Sequence, residues 1–165
     1  MRVHFIAIGG SAMHNIALAV AAAGHDVTGS DDQIFEPSRS RLESAGLLPT
    51  NDGWHPEKLD ASIDVVVLGM HARPDNPELQ KAKSLGLNIQ SYPEFLRAAN
   101  GHAKRVVIGG SHGKTTVTSM LLHAMHELNI PTNFMVGAQL EGFNRMVEID
   151  PDRTWCILEG DEYLS

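Results

Sequence analysis

Residues 106–120, VVIGGSHGKTTVTSM, carry the side chains with the clearest chemical use. Two valines and an isoleucine lead into Gly109 and Gly110. Lys114, Thr115 and Thr116 follow, and the pattern then turns helical. In a strand–loop–helix of this kind, consecutive backbone N–H groups and the start of the helix surround phosphate oxygens. The lysine places a point charge at the β- and γ-phosphates, and the next hydroxyl ligates Mg2+. Gly113, Lys114 and Thr115 supply that core. The lead-in is shorter than the general phosphate-loop pattern, because Ile108 rather than glycine stands five residues before Gly113. The plain alternative is a helix start that carries a lysine.

A second glycine turn lies near the N-terminus, in VHFIAIGGSAMHNIALAVAAAG. It departs from G-x-G-x-x-G, since Ser11 and His14 occupy the two later glycine positions. Asp31 and Asp32 follow about twenty residues on, where a carboxylate meets a ribose in dinucleotide-binding folds. The turn suits a nucleotide diphosphate, an NAD site, or strand–helix packing alone. Near the other end, in ILEGDEYLS, Glu159, Asp161 and Glu162 gather after an apolar run. Carboxylates there either reach a nucleotide-bound metal or form a solvated acidic turn. His123 and His126 share one face of a predicted helix, but no third ligand accompanies them, and no zinc site is expected.

Elements that could position these groups alternate between extended and helical patterns, which predicts an α/β fold with a mainly parallel sheet. Strands are expected over 3–8, in HDVTGSD, over 63–69 and in LNIQSY, with a further extended piece near Leu47. Helices are expected over 12–23, 37–45, in NPELQKAKSLG and in PEFLRAAN. Asn76 caps the third of these, with Pro77 at its first position. That gives five strands and four helices for a first domain. NGHAK, residues 100–104, reads as a linker. Beyond it come a strand, the glycine loop, a helix from Lys114 to about Leu128, and strands in FMVGAQL and TWCILEGDE. These are too few to complete a second domain.

Composition narrows the function classes. A chain of 165 residues with 42% hydrophobic content suits one domain plus part of another. A net charge of −7 with no basic surface argues against a nucleic-acid partner. It leaves nucleotides open, since local N–H groups and one or two cations hold them. The single cysteine, Cys156, excludes an internal disulfide. Its place in TWCILE predicts a buried, inert thiol, in keeping with a reducing cytoplasm. Arg2 and the apolar run after it superficially resemble a secretory signal, but Gly9, Gly10, Ser11, His14 and Asn15 interrupt it. No stretch is long and apolar enough to span a membrane.

Taken together, GGSHGKTT (family core 110–116), DNPEL (75–79), EGDE (159–162) and IGGSAM (8–13) resemble the Mur ligase family, the ATP-dependent ligases of peptidoglycan precursors. The resemblance covers the whole chain. It implies a Rossmann-like, UDP-sugar-binding domain over 1–103 and the start of a P-loop ATPase domain over 104–165. The substrate implied is UDP-N-acetylmuramate, whose carboxylate is joined to an amine through an acyl phosphate, with ATP and Mg2+ required. Tyr163 and SYPEFL resemble the tripeptide-recycling branch, whose acceptor is L-alanyl-γ-D-glutamyl-meso-diaminopimelate. L-Alanine is the alternative acceptor.

By the same resemblance, Gly9, Gly10, Ser11, Ala12, Met13, Ser30, Asp31, His55 and His71 contact the UDP-sugar. Gly110, Ser111, His112, Gly113, Lys114, Thr115 and Thr116 contact ATP. Lys114 stabilises the transferred phosphoryl group, Thr115 holds one Mg2+ and Glu159 a second. Ser111 stands for a common threonine, GMHA (69–72) replaces a Ser-Ser-Ala loop, and Trp54 separates the family's Gly-His pair at Gly53 and His55. Complete enzymes of the family have three domains, so this chain alone is not expected to ligate. A non-catalytic sugar-nucleotide-binding module and an NAD-binding module are the readings from other classes.

Overall fold

The computed structural model describes residues 1–70 and 72–160. Contacts between residues divide the chain into two compact units, Met1–Arg97 and Ala98–Ser165. Each has its own four-stranded sheet. The α/β class predicted from the alternation holds in both.

In the first unit β1 (Arg2–Ile6), β2 (Asp26–Ser30), β3 (Val65–Leu68) and β4 (Ile89–Ser91) pair in the order β2-β1-β3-β4, all parallel. Helices α1 (Ser11–Ala22), α2 (Ser38–Ser44), α3 (Pro77–Ser84) and α4 (Tyr92–Ala99) make the connections, with a short 3-10 turn at Pro56–Lys58. The chain leaves β1 for β2 on one side and returns for β3 on the other. The switch point of such a sheet, where ligands settle in open α/β folds, therefore lies beyond the carboxyl ends of β1 and β3. Period-two alternation sorts β1 into two faces. Ile6 packs with Leu59, Ile63, Val66, Leu79 and Ala82, beneath α3. Phe5 meets Phe95 edge-on at 6.3 Å on the other side.

Four strands, not five, form this sheet, because the piece near Leu47 is no strand. Gly46 has φ +70° there, and Leu47 N bonds back to Leu42 O, closing α2 rather than opening an extended run. β1 also stops earlier than expected. Ala7 has φ +68°, and Ala7 N and Ile8 N both donate to Ser30 O. The backbone thus turns two residues before the strand predicted over 3–8 would end.

In the second unit β5 (Lys104–Ile108), β8 (Trp155–Glu159), β6 (Thr132–Met135) and β7 (Val147–Glu148) pair in the order β5-β8-β6-β7. The first three are parallel and β7 is antiparallel. α5 (Lys114–Glu127) packs Leu122 against Phe134, Val136 and Ile157. Cys156 is fully buried, and burial pushes its thiol up to about 11, so it stays protonated and inert as the apolar run predicts. Residues of the expected linker engage this unit. Asn133 Nδ2 donates to Asn100 Oδ1 at 2.7 Å, and Arg105 donates to Asn100 O.

Candidate functional site

The phosphate-loop segment takes the strand–loop–helix form that its residues predict. β5 ends at Ile108 and α5 begins at Lys114. Gly113 stands at the N-cap with φ +76°, a left-handed conformation that an L side chain adopts only with strain. No side chain caps α5. Ser111, His112 and Gly113 are exposed, with Lys114 and Thr115 half-buried behind them. Lys114 Nζ donates to Gly110 O at 2.7 Å, which folds the amine back over its own loop.

β8 lies beside β5, with Glu159 in register with Ile108. That pairing brings the end of β8 to the first turn of α5. Thr115 Oγ1 donates to Glu159 Oε1 at 2.6 Å, and Gly137 N donates to Glu159 Oε2 at 2.7 Å. Two oxygen ligands 44 residues apart, expected at separate Mg2+ ions, thus meet directly. A hydroxyl and a carboxylate are the hard donors that Mg2+ takes, with water and phosphate oxygens completing its shell, so this donor set fits the ion. Asp161, Glu162 and Tyr163 lie outside the described residues. Among the described residues, His123 and His126 join no group of three metal ligands.

Around the first glycine turn, Gly9 N donates to Asp31 Oδ2 at 2.8 Å, and Asp32 N donates to Asp31 Oδ1. The carboxylate expected at a sugar is thereby bound to the turn itself. Burial raises Asp31 above the ordinary aspartate value, against the lowering from these N–H groups, and the charges of Asp32 and Asp52 raise it further. An alanine Cβ at Gly9 would lie 2.9 Å from Asp31 Oδ2 and 3.1 Å from Ile34 Cγ1. Gly9→Ala is therefore expected to destabilise the first unit by about 1–3 kcal/mol. A lower urea midpoint with an unchanged slope would register it.

Gly10 precedes α1, whose first turn has no capping side chain and no acidic residue. The N–H groups of Ser11, Ala12 and Met13 open that turn, as an anion site requires. Behind it, His14 Nδ1 lies 2.9 Å from Gly10 O and 3.0 Å from Ser38 Oγ. Burial lowers the His14 pKa, against the raising by its bond to Gly10 O, and the Arg41 charge lowers it further; the ring braces the turn.

Ser30 is fully buried, and its hydroxyl accepts from Lys58 Nζ at 3.3 Å. Its carbonyl takes the Ala7 and Ile8 N–H groups. His55 places Nδ1 3.0 Å from Glu57 Oε1 and Nε2 3.3 Å from Asn51 O, while its backbone N donates to Glu78 Oε1 at 2.6 Å. His71 lies outside the described residues.

Glu78 is the residue that sequence reasoning passed over. It stands within DNPEL, second in α3, and is completely buried. Glu78 Oε2 lies 3.3 Å from His4 Nε2, and His4 Nδ1 lies 2.8 Å from Thr28 Oγ1. Burial works to raise this carboxyl, but hydrogen bonds from His4, His55 N and Ser30, with the His4 charge, hold it below the ordinary glutamate range. Its partners His4 and His55 lie 74 and 23 residues away in sequence, a spacing that gives no periodic signal.

Comparison with known proteins agrees with these features. The model of the Mur ligase family, catalytic domain, matches residues 2–103. Over 161 residues the chain is 33% identical to the UDP-N-acetylmuramate–L-alanine ligase of Dictyoglomus turgidum, covering 98% of this chain and 34% of that protein. Over 139 residues it is 38% identical to the same-named ligase of an Arthrobacter species, covering 84% and 29%. The chain thus spans about a third of the length of the curated relatives it matches. Among solved structures, a UDP-N-acetylmuramate:L-alanyl-γ-D-glutamyl-meso-diaminopimelate ligase from Neisseria meningitides superposes with a TM-score of 0.84 at 29% identity, covering 98% of this chain and 53% of that one. A murein peptide ligase from Psychrobacter arcticus gives 0.82 at 29%, covering 99% and 38%. A family model matched over more than half the chain, a parallel first sheet and a glycine loop whose following helix meets a carboxylate agree: the chain belongs to the Mur ligase family.

Proposed function

We propose that this chain supplies the sugar-nucleotide site and the phosphate loop of an ATP-dependent ligase acting on UDP-N-acetylmuramate in peptidoglycan metabolism. Residues 1–103 are the UDP-sugar-binding domain, and 104–165 belong to the ATP-binding domain. The Thr115–Glu159 contact, between the first turn of α5 and the end of β8, carries the reading. In the proposed reaction the muramyl carboxylate attacks the γ-phosphorus of ATP, giving an acyl phosphate and ADP. The acceptor amine then displaces phosphate to form the amide.

The chain's own groups position and neutralise charge rather than bond covalently. N–H groups from Gly110 to Gly113 and the start of α5 cradle phosphate oxygens, with Ser111, His112 and Thr116 at the exposed rim. Lys114 leaves Gly110 O for the transferred phosphoryl group. Thr115 and Glu159 would hold Mg2+, which would supply charge neutralisation to the nucleotide phosphates. The N–H groups of Ser11, Ala12 and Met13, after Gly9 and Gly10, take the UDP diphosphate. Ser30, Asp31 and His55 shape the flank of that site, and His71 is a further contact.

The acceptor we propose is the tripeptide L-alanyl-γ-D-glutamyl-meso-diaminopimelate. The two superposed ligases at 29% identity support it. L-Alanine is the second reading, supported by the names of the curated relatives. A cytoplasmic site of action follows from substrates that are nucleotides.

Calorimetric titration of UDP-N-acetylmuramate into the 165-residue chain tests the reading, with NAD and Mg·ATP as comparisons. Saturable binding of the UDP-sugar at one site, without NAD binding, is the expected result. Binding of NAD in its place would overturn it. With ATP, Mg2+, UDP-N-acetylmuramate and tripeptide all present, this chain alone is expected to release no phosphate.

A further inference from the structure

We infer that Glu78 is a positioning residue for sugar-nucleotide binding, pinning the 51–55 segment and its His55 across the switch point of the first sheet. The inference rests on the proposed UDP-sugar site in that unit.

The segment is tied at two points. Gly53 N donates to Asp31 O at 2.7 Å, and His55 N donates to Glu78 Oε1 at 2.6 Å. Asp31 in turn accepts the Gly9 N–H. A continuous path of polar contacts therefore joins the glycine turn after β1 to the start of α3, which follows β3. These are the two strands between which the sheet order reverses.

Glu78 is suited to this by its own fixing. Asn76 Oδ1 caps α3 by accepting from Glu78 N and Leu79 N, which sets the backbone. Glu78 and His4 are both completely buried, so the carboxylate can neither swing out to water nor be replaced by it. Each of its oxygens is committed, one to His4 and one to His55 N. A buried carboxylate is costly unless its hydrogen bonds are filled. Here they are filled by the strand on one side and the candidate ligand segment on the other. The ring of His55 inherits that placement, because its own contacts are local, to Asn51 O and Glu57.

The test uses the 165-residue chain as Glu78→Ala and Glu78→Gln, at a temperature where circular dichroism shows each variant folded. Affinity for UDP-N-acetylmuramate is read by calorimetry, and the His55 amide by 15N NMR. Glu78→Ala is expected to bind roughly tenfold more weakly with a displaced His55 amide. Glu78→Gln, which keeps an acceptor oxygen at the same reach, is expected to restore affinity to within about threefold of wild type. A purely structural glutamate would lower the melting temperature and leave the affinity of folded molecules unchanged, and that result overturns the inference. Should Glu78→Ala not fold, Glu78→Asp takes its place, because the shorter carboxylate keeps the charge and loses the reach to His55 N. A displaced His55 amide with weakened binding in that variant supports the inference, and wild-type affinity in folded molecules overturns it. If wild type binds no UDP-sugar, the sugar-nucleotide reading falls and takes this inference with it.

Discussion

Lys114→Ala, in a ligase of family length carrying this sequence, is expected to cut ATP-dependent ligation by about 10²–10³-fold while leaving UDP-N-acetylmuramate binding unchanged. The size follows from what the amine does. A dissociative phosphoryl transfer offers little covalent work to a protein, so electrostatic stabilisation supplies most of the acceleration. Removing one preorganised positive donor from such a site costs about 3–4 kcal/mol. Stability should change little. Lys114 is half-buried at the start of α5, and its Nζ bond is to Gly110 O within the exposed loop. Phosphate release and formation of the muramyl–peptide amide, followed side by side, are the measurements. Ligation within threefold of wild type would remove Lys114 from its assigned role. Lost UDP-sugar binding would mean that the two glycine turns do not divide the substrates as proposed.

The two turns were legible in the sequence to different degrees, for physical reasons. Gly113, Lys114 and Thr115 point to a phosphate loop because such a loop would demand a specific residue type at each place for backbone conformation, charge and metal ligation; the structure shows the first of these, with Gly113 at φ +76°. The turn after β1 demands less. Close approach requires a small residue at Gly9, but the diphosphate would be held by backbone N–H groups that any residue supplies. Asp31 shows the limit of spacing arguments. Its distance from the turn suggests a ribose partner, but spacing did not indicate that the carboxylate also accepts from Gly9 N and Asp32 N. A side chain with two possible partners is not assigned by counting residues.

The family pattern supplied Thr115 and Glu159 one by one, and their pairing was not legible. Thr115 and Glu159 sit far apart in sequence and meet because β8 inserts between β5 and β6, an order that local periodicity does not encode. β7 escaped notice for a related reason. At Val147–Glu148 it is only two residues long, and its pairing with β6 is set by the intervening loop, where Phe143 meets Phe134 edge-on at 5.4 Å. The predicted strand in FMVGAQL shifted accordingly, to Thr132–Met135. Propensity favours its apolar stretch, but parallel pairing with Trp155–Leu158 selects the earlier residues. Glu78 was hidden most completely, because a buried carboxylate at the second position of a helix looks like an ordinary solvated acid near a helix N-terminus.

Glu159→Gln separates charge from shape at the candidate Mg2+ site. The carboxamide keeps an oxygen that can accept from Thr115 Oγ1 or Gly137 N, the two groups that now bond the carboxylate at 2.6 and 2.7 Å. It loses the negative charge. A hard dication responds strongly to ligand charge, since Mg2+ sites use one or two carboxylates with phosphate oxygens and water. In the full-length ligase, the Mg2+ concentration for half-maximal activity is therefore expected to rise at least tenfold, roughly the lower end of losses seen when metal sites are disturbed. Melting temperature should move little, because the amide oxygen can accept from Gly137 N while the amide NH2 donates to the Thr115 hydroxyl, and the β8 ladder to β5 and β6 is untouched. Thr115→Ser should behave as wild type and Thr115→Val as Glu159→Gln, since only the hydroxyl can ligate. An unchanged Mg2+ dependence in both Glu159→Gln and Thr115→Val would show that their contact is a strand-to-helix clasp and that the metal is held elsewhere.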